Sequence, residues 1–286
     1  MLSILLALGC AFTASLNVVT QHVASTAAPA EDRGWRLALY LIRSPLWLFG
    51  VGAMVASFVL QALALYHGAI SVVQSILVSE LVFSLVIGRV WLRRTVLPAA
   101  WVAAAVTGAG LAVFLIMAEP KGGHTNATTG AWLPALLTFG GLTAGCVLAA
   151  RHASPIRRAA FYASGAGIAG ALLATFLKST TEVLGHHGLV TMFQQGAVYG
   201  LVLAGILSAV LTQAALHRGP LAVSQSLMLI VDPVVSIALG IWIFGEHFQG
   251  GWGKILVGAL GFAVMATGVV FLARTAPSLA AAHPDR

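Results

Sequence analysis

Nine apolar runs, each long enough to cross a bilayer, divide this chain, and its arginines gather in alternate gaps between them. Arg33, Arg36 and Arg43 follow the first run, Arg89, Arg93 and Arg94 close the third, and Arg151, Arg157 and Arg158 flank the gap after the fifth. Arg218 follows the seventh, and Arg274 and Arg286 the ninth. The other gaps and their rims carry only Lys121, Lys178 and Lys254, so the 15 basic residues divide 12 against 3. Basic loops are retained on the cytoplasmic side of a membrane, and no other environment sorts arginine in this way. The pattern predicts an all-α polytopic protein, N-terminus outside and C-terminus inside, in a cell membrane of the bacterial inner or plasma type.

Composition agrees. Hydrophobic residues are 59% of 286 and charged residues 8%, more apolar surface than a soluble core can absorb. A helix needs about 20 apolar residues to cross the roughly 30 Å hydrocarbon layer. The runs place spans at 2–24, 46–66, 70–92, 97–118, 131–150, 158–180, 196–216, 221–244 and 253–273. Residues 1–118 form a first half of four helices, 131–274 a second half of five, and 275–286 a disordered cytoplasmic tail. The first run is read as a retained helix and not a cleaved leader, because no basic residue precedes it and Thr13, Asn17 and Gln21 form a polar line along it. The longest loops are expected at 25–45, 119–130 and 181–195. Pro45, Pro98, Pro155 and Pro220 stand at span starts, where a missing N–H costs nothing.

The net charge of +7 is assigned to arginines beside anionic lipid headgroups. No soluble domain carries a basic patch, so nucleic acid is excluded as a partner. Cys10 and Cys146 lie inside apolar spans and read as small buried hydrophobes.

The chain repeats itself. Gln61–Leu92 reads QALALYHGAISVVQSILVSELVFSLVIGRVWL, and Gln213–Phe244 reads QAALHRGPLAVSQSLMLIVDPVVSIALGIWIF. Gly68 matches Gly219 and Gln74-Ser75 matches Gln225-Ser226; after a one-residue shift, Glu80 matches Asp232, Ser84 matches Ser236 and Gly88 matches Gly240. The copies occupy the third and eighth spans, which cross in opposite directions. Inverted repeats are a common construction of secondary transporters, with the substrate at the repeat interface near mid-membrane.

Glu80 and Asp232 sit near the centres of those spans, where a carboxylate costs about 2.5–3.5 kcal/mol on insertion scales. At 100° per residue, Gln225, Asp232, Ser236 and Gly240 share one quadrant of the eighth helix. Ser71, Gln74, Ser75 and Ser79 share a face of the third, with Glu80, Ser84 and Gly88 roughly opposite. Either a π-bulge realigns Glu80 with its copy, or Glu80 serves helix packing. Pro233 follows Asp232 and frees the Leu229 carbonyl, a kink of the kind a gating helix uses and packed helices also contain. Gln61 and Gln74 fall in the outer half and Gln213 and Gln225 in the inner half, as linings of two vestibules or as interhelical hydrogen bonds. Lys178 pairs with Glu182, meets an anionic substrate group, or snorkels to the headgroups, the last being the usual behaviour. His186-His187 lacks a metal-ligand pattern. Gly141 and Gly145, Gly196 and Gly200, and Gly258, Gly261 and Gly268 read as helix contacts.

The stretch RSPLWLFGVGAMVASFVLQALALYHGAISVVQSILVSELVFSLVIGRVWLRR, the later LTQAALHRGPLAVSQSLMLIVDPVVSIALGIWIFGE and the Gly-rich helix after each resemble the drug/metabolite transporter superfamily, most nearly its EamA-type repeat. Pro233 and Gly245-Glu246 fit that repeat's pattern, and the likeness runs from Met1 to about Arg274. One helix of the ten-helix pattern is missing from the first half, and the nine-helix layout resembles the NIPA-like magnesium transporters. The resemblance implies transport of a small polar metabolite, a drug-like solute or a divalent cation. It carries over Asp232, Pro233, Gln225 and Glu246 in the matched segment, with Glu80 at the equivalent place in the other copy.

The sequence therefore predicts a secondary transporter working by alternating access, proton-coupled through Asp232, with a magnesium carrier as the alternative. An intramembrane lipid-phosphate enzyme is disfavoured, because no nucleophile–base pair or metal cluster emerges. No cofactor is expected; the partners are a small-molecule or ion substrate, the lipid bilayer and a second copy in a homodimer. The orientation is directly testable. With Cys10 and Cys146 replaced, an impermeant thiol reagent added to intact cells should label Ala127→Cys and leave Ala281→Cys untouched until the cells are opened; the opposite pattern would invert the topology.

Overall fold

Proline opens three helices of this chain. Pro45, Pro98 and Pro155 are the first residues of theirs, and Ser44 adds a side-chain acceptor for Trp47 N–H at 3.4 Å. The computed structural model describes residues 1–26, 42–91, 97–118, 120–121, 129–218, 221–248 and 251–275. The expected start at Pro220, most of the loops at 25–45 and 119–130, and the tail beyond Thr275 lie outside these residues.

The elements in chain order are α1 (Leu2–Thr26), α2 (Pro45–His67), α3 (Ile70–Leu77), α4 (Glu80–Val90), α5 (Pro98–Ala118), β1 (Pro120–Lys121), α6 (Thr129–Arg151), α7 (Pro155–Gln194), α8 (Gly196–Arg218), α9 (Leu221–Phe244), β2 (His247–Phe248) and α10 (Trp252–Thr275). With α3 and α4 counted as one traverse, the described residues contain nine helical segments long and apolar enough to cross a membrane. The chain is a multi-pass membrane protein. β1 and β2 pair antiparallel, Pro120 with Phe248 and Lys121 with His247. They follow the fourth and eighth traverses, and an even number of crossings between them returns the chain to the same face.

Helix pairs are set by where side chains are absent. A Cβ on Gly110 of α5 would lie 2.3 Å from the Met265 nitrogen of α10, and one on Gly268 would lie 2.7 Å from the Thr107 nitrogen. The two Gly-rich helices thus meet backbone to backbone, as small residues permit in lipid. α8 packs on α7 where Gly200 accepts the Phe176 ring, and Trp132 of α6 stacks on that ring at 4.9 Å between centroids. The main core gathers Leu65 of α2, Ile70, Val73 and Ile76 of α3, Leu172 and Leu177 of α7, and Leu239 and Phe244 of α9. It therefore draws on both halves of the chain.

Two expectations are corrected. Residues 181–195 are not a loop: α7 continues as helix to the residue before Gly188, whose φ of 80° makes a kink that suits glycine, and a short second helical segment follows to Gln194. Gly185 lies against the Tyr66 ring of α2, and the residues around it are exposed. Gly141 and Gly145 are not a helix contact either, since a Cβ on either meets nothing within 4 Å. α6 turns Ala135, Phe139, Thr143 and Ala150 inward instead.

These two glycine environments predict opposite responses. Gly110→Val should destabilise the detergent-solubilised protein by about 1–3 kcal/mol through overpacking, read as a lower unfolding midpoint, while Gly141→Ala should leave that midpoint unchanged. Equal midpoints would remove the backbone contact between α5 and α10.

Candidate functional site

The third traverse is broken beside its acid. α3 stops at Leu77, and Val78 and Ser79 form a turn with Ser79 N–H bonded to Ile76 C=O at 2.9 Å and Leu81 N–H to Val78 C=O at 3.3 Å. These are i→i−3 bonds, so the helix tightens here and does not widen as a π-bulge would. The sequence signal was the one-residue shift between the copies.

The tightening leaves the two acids in different places. Glu80 becomes the first residue of α4, where a negative charge complements the helix dipole. It acts electrostatically on Cys10 of α1, and Cys10 Sγ lies 3.3 Å from Ser57 Oγ of α2. Phe12 and Phe83 close the same seam edge to face.

Asp232 stands on α9, which runs unbroken across Pro233. Its Oδ1 accepts from Ser236 Oγ at 3.1 Å and from Gln74 Nε2 of α3 at 3.4 Å. Gln74 Oε1 in turn accepts from Gln61 Nε2 of α2 at 3.5 Å. Gln74 is buried and Gln61 and Asp232 half-buried as residues, so the polar chain leads inward from Gln61 to the Asp232 carboxylate. On its other side Asp232 faces bare backbone: a Cβ on Gly170 of α7 would lie 3.0 Å from Oδ2 and 3.8 Å from Ser208 Oγ of α8. A side chain at 170 would press on the Asp232 carboxylate.

The structure thus brings Gln61, Gln74, Asp232 and Ser236 together. Gln225 is half-buried nearer the start of α9, and Gln213 is exposed on the outward face of α8 among Val202, Ile206 and Val210. Glu80 belongs to the seam between α1 and α4. Among the described residues no three His, Cys, Asp or Glu side chains converge as metal ligands.

A second polar cluster went unread in the sequence. Lys178 does not snorkel: it is 5% exposed, donates to Gly68 C=O at 2.7 Å and lies 3.7 Å from Glu246. Glu246 accepts from the N–H groups of Ile70 and Ser71 and, at 2.6 Å, from Ser71 Oγ. Gly240 leaves room for that carboxylate and Gly245, at φ 62°, turns the chain back toward it. The Lys178 ammonium also sits 5.0 Å from the centre of the Phe244 ring. The available signal was the closing Gly245-Glu246 together with a lysine inside an apolar run.

No protein-family model matches the chain, and no solved structure matches it. It is 27% identical over 282 residues to an uncharacterized protein of Corynebacterium glutamicum, covering 96% of each chain. The likeness runs from end to end and is not confined to one half.

The two glutamines make a paired test of placement. Gln74→Leu leaves Asp232 short of a donor and should lower stability in mixed micelles by about 1–2 kcal/mol. Gln213→Leu, on the exposed face, should be neutral or stabilising. Equal losses at both positions would contradict the interior chain.

Proposed function

We propose that this protein is a secondary transporter of a small polar organic solute, working by alternating access between two inverted halves, with Asp232 as the proton-coupling acid. This reading places it with the drug/metabolite transporters of EamA type. One observation carries it: the chain Gln61–Gln74–Asp232–Ser236 crosses from the first repeat copy to the second inside an apolar bundle. Polar side chains in a membrane interior mark solute or ion pathways by default, because their burial has to be offset by a function or a partner. Here the partners come from opposite repeat copies, so a rearrangement of the halves changes the hydrogen bonds of the acid.

The surroundings suit an organic solute better than a bare cation. Asp232 is bordered by the Ser236 hydroxyl, the Gln74 amide and the close backbone of Gly170, and no three metal-ligating side chains converge among the described residues. A solute with hydrogen-bonding groups finds donors and acceptors of both kinds there. The broken helix on one side and Pro233 on the other supply two backbones with missing i→i−4 bonds next to the acid, where bending is least costly.

Reconstitution in proteoliposomes with an internal pH-sensitive dye tests the assignment. Pooled small metabolites should drive solute-dependent proton movement, and Asp232→Asn should reduce it at least about tenfold while the protein elutes unchanged. Magnesium alone producing the flux would replace the organic substrate with a cation. Asp232→Asn with undiminished solute and proton fluxes would remove the coupling role.

A further inference from the structure

The Asp232 chain does not use the second buried cluster, yet the two are joined through a single short helix. α3 is eight residues long. Its first N–H groups, at Ile70 and Ser71, are held by Glu246, and one turn later its Gln74 reaches Asp232. Ala69, at the N-cap position, offers no side-chain acceptor, so the start of α3 depends on a carboxylate 176 residues away in sequence. Ser71 is bonded twice in this arrangement, to Glu246 through its hydroxyl and to Ser75 through its carbonyl. Few residues separate the clamp from the site. Ile70, Val73 and Ile76 seat α3 in the main core, and the clamp adds a polar hold at its start, ahead of the tight turn at Val78–Ser79.

The cluster also occupies one end of the bundle. Gly68 ends the second traverse, α3 begins the third, and Glu246 ends the eighth, so all lie on the face shared by β1 and β2. By the arginine pattern this is the outer face. Lys178 of the sixth traverse ties Gly68 and Glu246 together, and Glu182, one turn on, is buried beside them and acts electrostatically on both charged groups. The first and second halves are therefore fastened to each other at the outer end, directly above the Asp232 chain.

We infer that Glu246 is the positioning residue of an outer latch: it holds the start of α3 closed over the Asp232 site, and outward opening requires its release from Ile70 and Ser71. This rests on the alternating-access reading above. Glu246 touches no solute in this scheme; it acts through α3 and so through Gln74. Hydrogen bonds to the amides and the Ser71 hydroxyl form the main hold, and Lys178, at 3.7 Å, is the secondary one. The order of strengths separates this latch from a simple ion-pair gate. A lysine at 246 facing a glutamate at 178 restores the opposite charges but offers the α3 amides no acceptor and puts a positive charge at a helix start.

The test reads access and needs no substrate. With Cys10→Ser and Cys146→Ala, Ser75→Cys places a near-isosteric thiol one turn into α3, at a position fully buried in the closed form. An impermeant thiol reagent is added to intact cells. Glu246→Ala should raise the labelling rate of that thiol about tenfold, Glu246→Gln by a smaller factor because it keeps a carbonyl acceptor, and Lys178→Met by less than Glu246→Ala. The exchanged pair Lys178→Glu with Glu246→Lys should label as fast as Glu246→Ala. Unchanged labelling in both Glu246 variants overturns the latch, as does protection restored by the exchanged pair. If Glu246→Ala does not elute as a single species, Glu246→Gln carries the comparison. Faster labelling in a protein that moves no solute in the proteoliposome screen would keep the latch and remove the transporter. Lost flux with unchanged labelling would do the reverse.

Discussion

A polar group left without a partner in hydrocarbon costs several kcal/mol, and this constraint decides which parts of the chain can be irregular. Most of the backbone meets it by remaining helical. The exceptions in the third traverse are each provided for: the start of α3 has Glu246, and the turn at Val78–Ser79 closes its own i→i−3 bonds. Without Glu246 the short α3 would expose free N–H groups inside the bundle. That carboxylate and the core contacts of Ile70, Val73 and Ile76 together place α3, and with it the donor that Gln74 offers to Asp232.

Small residues do the complementary work. Gly110, Gly261 and Gly268 bring α5 and α10 into backbone contact, and Gly167 and Gly170 let α9 approach α7 at Asp232 itself. The first set makes a rigid seam between the last helix of each half. The second set brings α7 backbone against Val231 and the peptide nitrogen of Asp232 at Gly167, and against the Asp232 carboxylate at Gly170. One residue type thus supports both a helix seam and the close approach of backbone to a buried acid.

Much of this was readable from residue order. The nine traverses follow from run length, and the pairing of Asp232 with Ser236 follows from helical spacing of four. The meeting of Gln74 with Asp232 was not legible, because sequence spacing carries no information about contacts 158 residues apart. Gln213 was misleading for a related reason: its copy, Gln61, faces inward, and duplication does not fix which face of α8 meets the core. The helix beyond Thr181 was hidden because an exposed helical stretch carrying His186, His187 and two glycines has the composition of a loop. Lys178 was hidden by the same logic, its usual escape to the headgroups being replaced by Gly68 and Glu246.

The account depends on water reaching Asp232 along the polar chain from Gln61. Infrared difference spectroscopy of the reconstituted protein measures this directly, through the carboxyl C=O band that Asp232→Asn removes. The account predicts that this band shifts promptly when the membranes are transferred to D2O, because the Asp232 proton exchanges with bulk water. A band assigned to Asp232 that stays unshifted over hours would mean a dry, sealed carboxyl, and the transport pathway proposed through it would not exist.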